Sequence, residues 1–205
     1  MTFMRKTVLS TFFVLAAFCL GCSSEPQKAP AEATPAAQFE TGRFALQKML
    51  APARGWSGDA QLVRLESTNL KGSDGHDGKA NFWRALFASA GRQKSEPFTW
   101  AGVATDDGPR GVNHGVEDSY NPSNRSSRSF DLNFLKIDSD QAFETAQKHG
   151  GKQVLEKDPK VQVGYLLDWD AQSNQLRWHV IYGSQSIGKL TVLVDASSGE
   201  FLRKE

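Results

Sequence analysis

Residues 161–200, VQVGYLLDWDAQSNQLRWHVIYGSQSIGKLTVLVDASSGE, decide the fold class. Val161, Val163, Tyr165, Leu167 and Trp169 alternate with Gln162, Gly164, Leu166 and Asp168. A period of two marks a strand with one face toward a core. Asp170 to Asn174 supply a turn, after which Leu176, Trp178, Val180 and Tyr182 alternate with Gln175, Arg177, His179 and Ile181. Gly183 to Gly188 turn again, and Leu190, Val192 and Val194 give a third strand. Upstream, Asp138 is followed three residues later by Gln141, the spacing of a capping box, and Ala142, Phe143 and Ala146 share one helical face. Gly150 and Gly151 are expected to end that helix in a left-handed conformation. A helix followed by a three-stranded meander with one apolar face must bury that face under the helix, which is an α+β arrangement.

The opening IDSDQAF (137–143) and the closing VDASSGE (194–200), in this order of elements, resemble the PepSY domain family over about residues 130–205. In the closing turn the Asp195 carboxylate accepts backbone amides while Gly199 takes a positive φ, which is turn chemistry and not catalysis. The resemblance implies a secreted or envelope-attached module, often associated with binding or restraining a protease. Such an association attaches to a fold and to no particular side chain.

The N-terminal half reads as a diverged copy. Phe44, Leu46, Met49 and Leu50 predict a short helix that Pro52 and Gly55 stop, and three strands follow, QLVRLES (61–67), FWRALFAS (82–89) and EPFTWAGV (96–103). Trp83, Ala85 and Phe87 align with Trp178, Val180 and Tyr182 at one constant offset of 95 residues (178 − 83). A tandem duplication explains the offset; a single irregular domain with a chance likeness is the alternative. The expected organisation is a PepSY-like module over 39–103, a long polar loop over 104–129 without periodicity, and a second PepSY-like module over 130–205. Loops of that length are usually disordered or functional.

The N-terminus fixes the compartment. Arg5 and Lys6 precede an uncharged, mostly apolar run from Val8 to Leu20, and Gly21 then stands before Cys22. This order is that of a secretory signal. As a helix the run is about 20 Å long, short of the roughly 30 Å hydrocarbon core of a bilayer. Cys19 and Cys22 form a C-x-x-C, but a thioredoxin-type pair needs a strand before it and a helix after it, and a zinc site needs two more ligands. The segment resembles a bacterial lipobox, with Cys22 at the lipidated position, Gly21 before it, and Cys19 where the motif usually has leucine. Residues 1–21 are therefore expected to be removed as a signal peptide, with simple secretion or an uncleaved anchor as alternatives. Ser23 is not aspartate, the usual inner-membrane retention signal of Gram-negative lipoproteins, so in a cell with an outer membrane the expected location is that membrane, facing the periplasm.

On this reading the folded part contains no cysteine, and thiol and disulfide chemistry are excluded together. Losing Arg5 and Lys6 takes the formal charge from +1 to −1, which gives no general attraction to nucleic acid or anionic lipid. Ser23 to Gln38, SSEPQKAPAEATPAAQ, has three prolines, five alanines and no large apolar side chain. With the lipidated Cys22 it makes a tether over 22–38, unable to bury enough surface to order itself and reaching roughly 50 Å when extended.

Several constellations carry chemistry-bearing residue types. Asp74, His76 and Asp77 in GSDGHDG lack the glutamate an EF-hand requires at its twelfth position, so a solvated hairpin loop is expected and no metal is assigned. His114 lies near Glu117 and Asp118 without any partner motif, His179 shares the polar face of its strand with Arg177, and His149 falls in a last helical turn, where a cation favours the dipole. GSQSIG (183–188) imitates only the composition of a nucleophile elbow. No catalytic or cofactor-binding residue is assigned. Arg125 and Arg128, in a serine-rich loop, are candidates for an acidic or phosphorylated partner, with simple solvation as the alternative. Trp83 and Trp178 fit inner sheet faces, whereas Trp56, Trp100 and Trp169 lie near strand ends, where an aromatic serves either as a binding anchor or as core or edge packing.

The function expected from the sequence is non-enzymatic: an envelope lipoprotein that binds a protein or envelope ligand, as a protease-restraining or assembly factor. A structural lipoprotein without a discrete ligand is the alternative, and a hydrolase a more distant one.

Overall fold

The computed structural model describes residues 36–70, 72–106, 108–183 and 188–205. The expected signal peptide with Cys19, and Cys22 with the expected tether up to residue 35, lie outside the described residues.

After the two-residue strand β1 (Glu40–Thr41), helix α1 runs over Gly42–Trp56, with Thr41 as its N-cap. Ala45, Leu46, Met49 and Ala53 are its buried stripe, at the spacing one helical face requires. The helix does not stop at Pro52, as the sequence led us to expect. Pro52 and Lys48 are both exposed, so the Lys48 carbonyl that loses its donor faces water. Burial of Met49 and Ala53 on the opposite side offsets a proline cost of about 3 kcal/mol.

Strands β2 (Gln61–Ser67), β3 (Lys79–Ala80), β4 (Phe82–Ser89) and β5 (Lys94–Ala101) follow. The segment expected as a long polar loop carries two more, β6 (Gly111–His114) and β7 (Asp118–Ser119), both laid antiparallel on β5. The unpaired edge of β5 explains the difference, because it offers a backbone template to a sequence with no side-chain periodicity.

Helix α2 (Ser139–Ala146) begins with the expected capping box between Asp138 and Gln141. Gly150 has φ +111°, as a helix end predicts, but the chain passes through a π-type turn at Gln147–Gly151 and resumes as α3 (Lys152–Lys157). The meander comes next as β8 (Val163–Asp170), β9 (Gln175–Gly183) and β10 (Gly188–Asp195). In the closing turn Asp195 accepts the amides of Ser197 and Ser198, and Gly199 has φ +80°. A further strand, β11 (Phe201–Lys204), pairs with β10.

Among the described residues β1 pairs with β3, and the other nine strands form an antiparallel sheet in the order β11-β10-β9-β8-β2-β4-β5-β6, with β7 also on β5. Each half is thus a helix followed by strands added outward in chain order. The halves meet where β2 pairs with β8, through Arg64↔Asp168, Leu65↔Leu167 and Glu66↔Leu166. Both helices pack on one face, and the core there draws on both halves: Leu46, Met49, Leu65, Trp83, Phe87, Tyr165, Leu167, Trp178 and Tyr182 are all 2 % exposed or less. The protein is α+β, with one large antiparallel sheet whose helices, among the described residues, lie on a single side.

Candidate functional site

The face of the sheet turned away from the helices positions the chemistry. Strand alternation sends Arg84 and Leu86 from β4, Glu66 from β2, Leu166 and Asp168 from β8, and Arg177, His179 and Ile181 from β9 to that face. A register shift between Leu62 and Arg64 places Val63 there too, under Tyr120 and beside Ala88. Register aligns these side chains in two rows across the seam. One runs Thr99–Arg84–Glu66–Leu166–His179, the other Pro97–Leu86–Arg64–Asp168–Arg177.

Most of the charges in the rows are matched. Arg177 donates from Nε to Asp168 at 3.1 Å and from Nη1 to Asp170 at 2.8 Å, and His179 Nε2 lies 3.0 Å from the same Asp168 oxygen. Burial raises the Asp168 pKa, but the hydrogen bonds and charges of His179 and Arg177 outweigh it, and the carboxyl is held below the usual range. Arg64 Nη2 pairs with Glu66 at 2.8 Å, while its Nε is buried without a hydrogen-bond partner. Arg84 stands opposite Glu66, is exposed, and has no ion pair among the described residues. It forms part of a cleft of about 390 Å³ with Glu66, Thr68, Phe82, Pro97 and Thr99, and of a smaller hollow of about 230 Å³ with Arg64, Glu66 and Leu86.

The residues singled out from the sequence lie elsewhere. Trp100 is 5 % exposed and packs edge-on against Phe44, so it belongs to the core and presents no anchor to a partner. Trp56 is half-buried at the end of α1; its indole donates to Glu117, and the Arg92 guanidinium sits 4.9 Å over its ring and also pairs with Glu117. Trp169 packs against Phe130 and Phe134, with its Nε1 buried and unpartnered. Arg125 donates to the Ala171 carbonyl and shares with Trp169 a cleft beside the β8–β9 turn, so the structure brings these two together. Arg128 is exposed.

The histidines have packing roles. His114 contacts the buried Glu96 at 2.6 Å and stacks on Phe98, and not on Glu117 or Asp118. His149 stacks on Phe201 at 4.0 Å, in non-helical backbone beyond α2, rather than capping its last turn. The GSDGHDG loop keeps Asp74 and Asp77 in solvent, as expected, but is anchored on the sheet: His76 Nε2 meets the Val161 carbonyl at 2.6 Å, and the Tyr165 hydroxyl donates to the Gly75 carbonyl. Tyr165 is 1 % exposed, and a hydroxyl so buried requires an acceptor. The loop supplies it by bringing Gly75, at φ +74°, so close that a Cβ would fall 1.9 Å from the Val163 carbonyl oxygen.

Arg64, Glu66 and Arg84 escape the sequence reading, although their polar positions alternate visibly within QLVRLES and FWRALFAS. What the sequence does not carry is the register that sets the three side by side.

No protein-family model matches the chain, and no curated protein matches it. Among solved structures it is similar to a crystal structure of a protein from Clostridium difficile 630 described as a putative lipoprotein, at a TM-score of 0.54 and 14 % identity. The likeness covers 78 % of this chain and 91 % of that one. At this identity it speaks to the fold alone.

Proposed function

We propose that the protein is a lipid-anchored bacterial envelope protein that holds a protein partner on the helix-free face of its sheet, without catalysing a reaction on it. The observation that carries this reading is the face itself: among the described residues the helices lie on one side of a broad sheet, and the other side carries cross-strand charged rows and, over β2, β4 and β5, open clefts. The anchor rests on Arg5, Lys6, the apolar run and Gly21 before Cys22, and the fold likeness to a protein described as a lipoprotein agrees with it.

The two halves fit a pair of diverged PepSY-like modules. In each, the indole of the second long strand donates to the carbonyl just before the helix N-cap, Trp83 to Glu40 and Trp178 to Ile137, both at 2.9 Å. In that setting the partner is a protease that the protein restrains or an assembly client, at the outer membrane and facing the periplasm. The test is a photo-reactive residue at Thr99, on the open face, compared with one at Gln47, on the exposed side of α1, in cells making the full chain. The reading expects a defined crosslinked partner from Thr99 and none from Gln47; capture from Gln47 alone would overturn it.

A further inference from the structure

Resting on the reading that the helix-free face holds a protein partner, we infer that Arg64, Glu66 and Arg84 form a receptor for one carboxylate side chain of that partner. The three line a single hollow, which sets two arginines against one glutamate. Glu66 is engaged by Arg64 at 2.8 Å, which leaves the positive charge of Arg84 uncompensated. A cluster with an excess cation attracts an anion, and a guanidinium presents its donors in the fork that a carboxylate matches.

The surroundings suit an amino-acid side chain better than a bare ion. Phe82 and Pro97 wall the adjoining cleft, and Thr68 and Thr99 contribute hydroxyls. The other acidic groups of the face do not compete, because Asp168 and Asp170 are already held by Arg177. An aspartate or glutamate on a protruding loop of the partner therefore enters above β4 and β5, with its stem against Phe82 and Pro97.

The probe is a pair of blocked pentapeptides, acetyl-Ala-Ala-Glu-Ala-Ala-amide and its glutamine isostere, titrated into the full chain in detergent micelles while the arginine Nε–H resonances are followed. The glutamate peptide should shift the signals of Arg64 and Arg84 and bind about tenfold or more tightly than the glutamine peptide, the difference a charge-assisted hydrogen bond makes. Arg84→Gln, an exposed change, should erase that preference, and Arg54→Gln on α1 should keep it. Equal binding of the two peptides, or an undiminished preference in Arg84→Gln, overturns the proposal. Combining Arg84→Gln with the Thr99 crosslinker separates the two claims. Lost capture supports the receptor; unchanged capture overturns the receptor while the partner-binding face stands; capture only from Gln47 overturns the face reading itself.

Discussion

The indole of Trp83 meets that of Trp178 edge to face across the seam between the two halves, with ring centroids 6.4 Å apart and planes at 74°. Neither ring is exposed, and each donates its N–H to a carbonyl ahead of a helix. The pair joins helix starts, inner strands and seam in one contact. Replacing either tryptophan by alanine should cost about 3–5 kcal/mol through lost transfer energy and the cavity left behind. Because the rings touch, the double variant should depart from additivity by roughly 0.5–3 kcal/mol. Denaturant midpoints of the four proteins measure both effects; a midpoint unmoved by Trp83→Ala would show that the first half does not depend on this packing.

Gly42, the first residue of α1, lies against the same rings. A Cβ there would come within 2.7 Å of Trp178 and 3.1 Å of Trp83. Gly42→Ala should therefore destabilise by about 1–3 kcal/mol, as overpacking does. Gly55, near the other end of the helix, has nothing within 4 Å of its would-be Cβ, and Gly55→Ala should stabilise by about 0.4–1 kcal/mol. Opposite signs in thermal unfolding are the expected result.

The helix caps should differ in weight. Asp138 Oδ1 accepts from its own helix at Ser139 (2.7 Å) and from the other helix at Arg43 (2.9 Å), whereas Thr41 reaches Phe44 only at 3.5 Å. Asp138→Ala should cost about 1–2 kcal/mol and Thr41→Ala a smaller amount, because a bond at that length is weak. Urea denaturation of the two variants orders them.

Acid should act through Asp59, whose carboxyl is held at about 2, from an ordinary 3.8, by hydrogen bonds from Ser89 and Ser57 and from the Gly91 amide. A depressed folded-state pKa gives stability that is complete above the unfolded value and disappears as pH falls through the folded one. The stability gap between the wild type and Asp59→Asn should hold steady above pH 3.8 and close as pH falls toward about 2. A gap independent of pH over that window would show that the carboxylate charge contributes nothing.

The anchor is tested by acylation. Cys22→Ala should abolish lipid labelling and leave a precursor or a soluble species, while Cys19→Ala should leave labelling intact. Acylation that persists in Cys22→Ala would contradict the lipobox.

What was legible in the sequence was what neighbouring residues settle among themselves. The capping box at Asp138–Gln141, the turn at Asp195–Gly199 and the alternation of β8 and β9 each depend on a few consecutive positions. The continuation of α1 past Pro52 did not, because it depends on what Met49 and Ala53 bury against. β6 and β11 were invisible for the same reason: four residues carry little pattern, and a partner edge makes them strands. The candidate site was the least legible part. Arg64, Glu66 and Arg84 become neighbours only when β2 pairs with β4, and for Trp100 the structure selects core packing from the readings its sequence position left open.

The way the chain enters the fold has a mechanical consequence. Gln38 donates to the Gly102 carbonyl, β1 pairs with β3 through Glu40↔Ala80 and Thr41↔Lys79, and the Glu40 carbonyl takes the Trp83 indole. Tension applied upstream of Ala36 is therefore borne by this short ladder before it reaches α1. A pull along the strand direction loads its bonds in shear, all at once, whereas a pull across it peels them one by one and ends at the buried indole. The direction of a force on the N-terminus, more than its size, would decide whether the domain keeps its hold or begins to open beside its core.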